Sequence, residues 1–331
     1  EKLIKGALEG LGYTADHIPT PDKNSFQLGK EFGNNGQCNP TYFTVGNLVQ
    51  YLQSLENNGI AKEDIIDKYV FFTAGACGPC RFGMYEAEYR LALRNSGFDG
   101  FRVLLFQQTG GLSQEDAKAG LEMNLDFFLS IINAMMVGDI INEVGYRIRP
   151  YELIEGDTDK AMNKAMDIFY ERLKGKKYFD FNSKLGSLIK KLPASDYVAK
   201  FIDQMLGDYY LDAAVEARKV FEEVKVDYTR MKPIVKVTGE FWAQTTEGDG
   251  NFNMFPFLER EGAQVLVEPI ATWIMYMIHQ AHSMNEDQKG INVYKEADEH
   301  HSLKERFALL KEYRTSKTIL SLSEKIFERE Y

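Results

Sequence analysis

The chain has 331 residues, 44% of them hydrophobic and 27% charged, with a formal net charge of −10. Such a chain can bury a large core and splits into two or three units, which excludes widespread disorder. The acidic balance argues against nucleic acid or an anionic membrane as the main partner, and no uninterrupted run of about eighteen apolar residues marks a membrane span.

In chain order, residues 1–12 read as an amphipathic helix with Leu3, Ile4, Ala7, Leu8 and Leu11 on one face and Gly12 at its stop. Residues 13–18 follow as a strand closed by Pro19. The segments beginning Ala7-Leu8-Glu9 and Phe257-Leu258-Glu259 both read Leu-Glu-x-x-Gly, then six residues, then Pro. They suggest a weak internal repeat of a β-α-β unit whose first copy lacks its leading strand, as in a fragment of a longer polypeptide. Helix-Gly-strand-Pro is also ordinary α/β punctuation. Residues 21–32 read as a polar connection, and the Gly/Asn-rich loop 33–40 carries Cys38 to a helix start at Pro40. That helix has Val45, Leu48, Val49, Leu52 and Leu55 on its apolar face. A short buried strand over 69–74 leads into Cys77-Gly78-Pro79-Cys80 and a helix over 81–95; a second strand spans 102–106 and ends in a Gly-Gly loop at 107–111.

Beyond this the pattern turns helical, over 115–137, 157–173, 182–192 and 199–226, without convincing strands. Alternation returns at 233–240, another strand covers 263–270, and the remainder is mainly helical with a polar break at 284–302. The expected fold is therefore α/β, with two Rossmann-like parallel-sheet units and a helical insert between them. Its divisions are 1–112, an α/β unit carrying the cysteines, then 113–230, the insert, then 231–331, a second α/β unit with a helical C-terminus.

The chain has three cysteines, and Cys77 and Cys80 form a CxxC between a strand and a helix. Helix N-termini favour thiolate through the helix dipole and free N–H groups. So few cysteines in a large chain do not make a secreted disulfide framework; they point to metal or redox chemistry in a reducing cytoplasm. Cys77-Gly-Pro-Cys80 on its own suggests a thioredoxin-like thiol–disulfide oxidoreductase, but no Trp precedes it and the chain is several times too long for one such domain. Cys38 sits at an equivalent place, a loop before a helix, and three thiolates can hold a [4Fe–4S] cluster with one iron open. Closed zinc needs a fourth donor, and His17, the one nearby histidine, falls inside an expected strand. Taken alone, Cys38 also reads as a small buried hydrophobe.

Other groups accompany these sulfurs in the sequence. Arg81 could offset the charge of a cluster, or be an ordinary first-turn arginine. The loop 240–251, with Trp242, leaves a strand end and could wall a pocket. Gly248-Asp249-Gly250 reads as a turn. His279 and His282 share a helix face without a third ligand and read as helix surface, while His300 and His301 lie in a charged segment. No phosphate-binding Gly-rich motif occurs, so the chain is expected to receive electrons without hydrolysing ATP.

The segments Gly36-Gln-Cys-Asn-Pro-Thr-Tyr-Phe-Thr-Val-Gly-Asn-Leu-Val-Gln-Tyr-Leu52 and Ala76-Cys-Gly-Pro-Cys-Arg-Phe-Gly-Met-Tyr85 resemble the 2-hydroxyacyl-CoA dehydratase / benzoyl-CoA reductase superfamily. They are most similar to its large activase-related proteins. Val237-Thr-Gly-Glu-Phe-Trp242 with the following Leu-Glu-x-x-Gly is similar to their C-terminal unit. The resemblance covers residues 1–110 and 233–270. It implies an oxygen-sensitive iron–sulfur cluster used for low-potential electron transfer in anaerobes, with Cys38, Cys77 and Cys80 as ligands. It further implies an ATPase activator, as component or domain, that supplies the electron, and an acyl-CoA substrate for dehydration or reduction. The tight CxxC departs from the wider ligand spacing of dehydratase subunits. A cluster shared across a homodimer is one alternative; a cluster-bearing scaffold without a substrate is another.

Overall fold

The computed structural model describes residues 1–75, 81–106, 121–122, 124–176, 200, 209–239, 241–294 and 303–330. In chain order its elements are α1 (Lys2–Gly10), α2 (Lys23–Phe32), α3 (Asn39–Asn57), α4 (Lys62–Lys68), β1 (Val70–Ala74), α5 (Tyr85–Asn95), β2 (Arg102–Phe106), α6 (Leu125–Ile148), α7 (Asp157–Lys174), α8 (Tyr209–Glu222), β3 (Ile234–Val237), α9 (Phe241–Thr245), α10 (Met254–Arg260), β4 (Gln264–Val267), α11 (Ile270–Tyr294) and α12 (Leu303–Glu330). The fold is mixed helix and sheet and mostly helical. Its sheets are two small parallel pairs, β1 with β2 and β3 with β4, in the registers Val70↔Arg102 and Ile234↔Gln264.

The chain divides into two compact units, one built from 15–124 with 231–267 and the other from 2–14, 125–230 and 268–331. This division differs from the three consecutive blocks expected from sequence. Long-range packing regroups the ends: the first helix joins the helical unit, and β3 to β4 joins the unit containing Cys38.

The first unit rests on a β1-α5-β2 crossover covered by α3 and α4. Aromatic and β-branched residues dominate β1, β2 is Arg-Val-Leu-Leu-Phe, and their parallel pairing demands the helical return through α5. The core gathers Val45, Leu48, Val49 and Leu52 of α3, Ile65 of α4, Tyr89, Ala92 and Leu93 of α5, and Phe98, Phe101 and Val103. Each of these is at most 6% exposed. Residues 21–32, expected as a connection, contain helix α2. Asp22 caps it by accepting from the Ser25 backbone N–H, and Ser25 returns the bond to the Asp22 N–H. The fully buried positions of α2 are the small residues Ser25 and Gly29, while Phe26 packs on Tyr42 and Phe43 and Phe32 on the core of the unit. A 3-10 turn at Arg81–Met84 precedes α5, which therefore begins four residues later than expected.

Residues 13–18 do not form a strand. The segment is tied instead to α3 side chains within its unit: Tyr51 donates to Asp16 at 2.9 Å, and the Asn47 amide donates to the Pro19 carbonyl at 2.7 Å. The apparent repeat has a local cause. Four helices end in Leu-x-x-x-Gly, with the glycines at 12, 59, 97 and 262 at φ between 85° and 93°. In each, the residue after Gly donates its N–H to the Leu carbonyl (Leu8, Leu55, Leu93, Leu258). This is one helix stop used four times.

The second unit is helical. Its core joins Leu3 and Ala7 of α1, Val137 and Ile141 of α6, Ala165 and Phe169 of α7, and Ala213 and Phe221 of α8. Gly10 brings α1 so close to α7 that a Cβ there would lie 2.4 Å from the Leu173 carbonyl oxygen. By length and composition the stretch Leu125–Tyr151 is the one among the described residues able to cross a membrane, and 44% of its apolar window is buried inside the fold. Asp139 of α6 is buried and accepts from the Ala271 N–H at 2.9 Å, capping α11 at its positive end. Helix α11 runs through the expected polar break as far as Tyr294; 295–302 lie outside the described residues, as does the helix expected at 182–192.

Candidate functional site

Cys38 stands at the N-cap of α3, a 19-residue helix, in extended conformation (φ −70°, ψ 153°). Pro40 lies in the first turn, where its missing N–H costs nothing. Position thus sets the sulfur at the positive end of a long helix. Two hydroxyls meet it: Thr41 Oγ1 at 3.1 Å and Tyr85 Oη at 3.2 Å from Sγ. Thr41 is 2% exposed and Tyr85 6%. Tyr85 opens α5, and Phe82 from the preceding 3-10 turn packs edge-on against its ring at 5.0 Å. Burial first, and the Cys38 sulfur second, push the Tyr85 phenol above its ordinary range, so it keeps its proton at neutral pH.

The loop that delivers Cys38 is fastened from the same helix. Glu88, 6% exposed, accepts from the Asn34 backbone N–H at 3.1 Å, the Asn34 amide at 2.8 Å and the Gln37 amide at 3.1 Å. The Gln37 N–H donates to the Tyr42 hydroxyl at 3.0 Å. One turn of α5 therefore carries both the hydroxyl at the sulfur and the carboxylate that holds the loop. Next to Glu88, buried Tyr89 packs on Phe71 of β1, and its hydroxyl meets Thr44 and Thr73. Burial raises that phenol too.

Of the expected site residues, Cys38 is placed as described. Cys77 and Cys80 lie outside the described residues, as do the Gly-Gly loop at 107–111, His300 and His301, and only the backbone of Arg81 is described. Among the described residues no three His, Cys, Asp or Glu side chains gather closely enough to hold a metal ion. A thiolate ligand nevertheless fits the surroundings of Cys38, because a helix N-terminus and two hydroxyl donors favour the charged sulfur.

The stretch after β3, expected as a loop, holds the short helix α9, which packs on α3 beyond the cysteine. Trp242 stacks on Phe43 at 6.0 Å and donates its indole N–H to the Gly250 carbonyl at 2.8 Å. Gly248–Asn251 is a 3-10 turn, in keeping with the turn expected there. Asp249 accepts from the Lys23 N–H at 3.2 Å. The α11 histidines diverge: His279 faces Ser283 of its own helix, while His282 is 8% exposed, bonds Ser316 at 3.1 Å and stacks on Tyr313. His17 is exposed beside Asp16 and lies in no strand.

Sequence reading missed Thr41, Tyr85 and Glu88 as parts of the site. A signal existed for Glu88: it is the one acid among Tyr85, Tyr89, Ala92 and Leu93 on the buried face of α5. Nothing comparable marked Asn34 or Gln37. No protein-family model, no curated protein and no solved structure matches the chain.

Proposed function

We propose that the chain is an iron–sulfur redox protein in which Cys38, Cys77 and Cys80 hold a [4Fe–4S]-type cluster, with Arg81 beside it. In this reading it takes low-potential electrons from an ATP-dependent activator component or domain for acyl-CoA dehydration or reduction, in the cytoplasm of an anaerobe. The finer fold belongs to the same proposal: the β1-α5-β2 and β3 to β4 segments are the cores of two Rossmann-like units, with a helical insert at 113–230. A bound cluster would supply one-electron transfer and an open iron for a thioester oxygen. The chain's own part is to present charged sulfurs and to set their surroundings.

One observation carries the reading. The Cys38 sulfur is held at a helix N-terminus by the hydroxyl of Tyr85, the first residue of the helix that follows Cys77-Gly-Pro-Cys80 in sequence. Cys77 and Cys80 lie shortly before that helix in the sequence. Purification from anaerobic cells, with visible absorption and EPR on the reduced protein, tests it. A brown protein with broad visible absorption and a reduced-cluster EPR signal is expected. An iron-free protein that reduces insulin disulfides, and loses that activity on Cys77→Ser, would replace the cluster with a thiol–disulfide enzyme.

A further inference from the structure

We propose that the outer face of α11 is where two copies of this chain associate, as a two-fold dimer whose α11 helices pack antiparallel across Gln280. The inference is independent of the cluster reading, because α11 belongs to the second unit and carries none of the proposed ligands.

From Ile270 to Met284, α11 carries no Asp, Glu, Lys or Arg, and its apolar residues run all round the helix. A helix of that kind is normally covered on every side. Ala271 and His282 are the buried positions of this stretch, about three turns apart on the side that meets Asp139 of α6 and Tyr313 and Ser316 of α12. On the opposite side Trp273, Tyr276, Gln280 and Met284 succeed one another at helical spacings of three and four residues. Trp273 is 45% exposed, Tyr276 57% and Met284 56%, and Gln280 is exposed between them. Aromatic side chains and Met without charges are the composition of a protein–protein interface core.

Charge selects the occupant. The chain has a net charge of −10, so two copies repel wherever acidic surfaces meet, and the charge-free stretch removes that repulsion locally. Glu268, Glu286 and Asp287 bracket the stretch in place of basic residues, which disfavours a lipid surface. They also fix the direction of pairing. In a parallel pair, positions 286 and 287 would face their own copies, acid against acid. In an antiparallel pair about Gln280 they fall opposite positions 274 and 273, an Ile and a Trp. Tyr276 of each copy then meets Met284 of the other, a favourable sulfur–aromatic contact, and Gln280 meets its own amide. The two aromatic side chains still offer about 200 Å2 per chain. Met284, Gln280 and exposed Ala281 extend the strip toward the roughly 500 Å2 per chain that a specific interface needs.

The test measures mass in solution by sedimentation velocity for wild type and Tyr276→Arg, with far-UV circular dichroism to report folding. Wild type should sediment at twice the mass of one 37.9 kDa chain, and folded Tyr276→Arg at the mass of one. Gln280→Cys replaces an exposed side chain and keeps the interface. After mild oxidation, peptide mapping of this variant should find a disulfide joining position 280 of two chains, a readout that does not depend on how Tyr276→Arg folds. Wild type at the mass of one chain overturns the proposal, including where it binds phosphatidylcholine vesicles as a lipid-facing helix would. A dimer that persists in folded Tyr276→Arg, or that gives no link at position 280, overturns it as well, because the copies then meet elsewhere.

Discussion

Glu88 shows how much one buried side chain does in the first unit. Its carboxylate takes hydrogens from Asn34 twice and Gln37 once, while α5 packs the rest of its face into the core. Asn34 is exposed and Gln37 half-buried, so water can take over part of those bonds after truncation, and Glu88→Ala should cost about 1–2 kcal/mol. The urea midpoint of the first unit reads this out through Trp242, made the sole tryptophan by Trp273→Phe. Glu88→Gln, which keeps one acceptor but turns an NH2 group toward a donor, should cost less. A midpoint unmoved by Glu88→Ala would remove Glu88 as the tie. Cys38 was visible in the sequence because glycine and asparagine before a proline-started helix mark a loop and a helix N-terminus. The hydroxyls at its sulfur were not, because Tyr85 reaches it from a helix 47 residues away.

At the level of elements, the α2–α3 crossing is the tightest contact described. A Cβ on Gly46 would lie 1.7 Å from the Ser25 carbonyl oxygen, and one on Gly29 would lie 1.9 Å from that of Tyr42. These neighbours are backbone and cannot turn aside, so Gly46→Ala should destabilise the first unit by more than about 3 kcal/mol, measured as the same Trp242 midpoint. Gly12 needs its glycine for another reason. Its φ is +91° with open space around it, so Gly12→Ala should cost only about 1–2 kcal/mol. The α2 cap adds a pH dependence. Partial burial raises the Asp22 pKa, but the Ser25 N–H, the Ser25 hydroxyl and Gln50 outweigh this and hold it below its ordinary 3.8. A folded-state pKa below the unfolded one makes the contribution complete above the ordinary aspartate range and lost as pH falls through the folded value. Asp22→Ala should therefore cost about 1 kcal/mol at neutral pH and progressively less on strong acidification. A gap that stays constant across that range would contradict the cap.

The contrast among elements explains what could be read from the sequence. β1 to β4 announced themselves as short, mainly apolar runs, and the helix stops as Leu-x-x-x-Gly. Helix α2 did not, because its fully buried positions are the small residues Ser25 and Gly29. Helix α4 did not either, because it buries only Ile65.

For the molecule as a whole, the division into units turns on contacts that no local pattern contains. Gly6 and Gly10 let α1 settle on α7, and Tyr170 and Lys174 of α7 bind Glu9 at 2.5 and 3.2 Å. The Tyr170 hydroxyl first, with Lys174 also contributing, holds the Glu9 carboxyl below its ordinary range. Periodicity placed a helix over 157–173 and a strand at 102–106, but nothing in it joined α1 to the helical unit or β3 and β4 to the unit of Cys38. The ligands of the proposed cluster, by contrast, all come from one stretch of the sequence, between Cys38 and Cys80.

The central claim is tested most directly by counting iron and sulfide per chain in anaerobically purified wild type and in Cys38→Ser, Cys77→Ser and Cys80→Ser. About four iron atoms per wild-type chain are expected for a cluster in each chain, or about two for one shared by a pair. Most of the iron should be lost in every variant. Iron-free wild type, or a Cys38→Ser protein that keeps its full iron, would contradict the account.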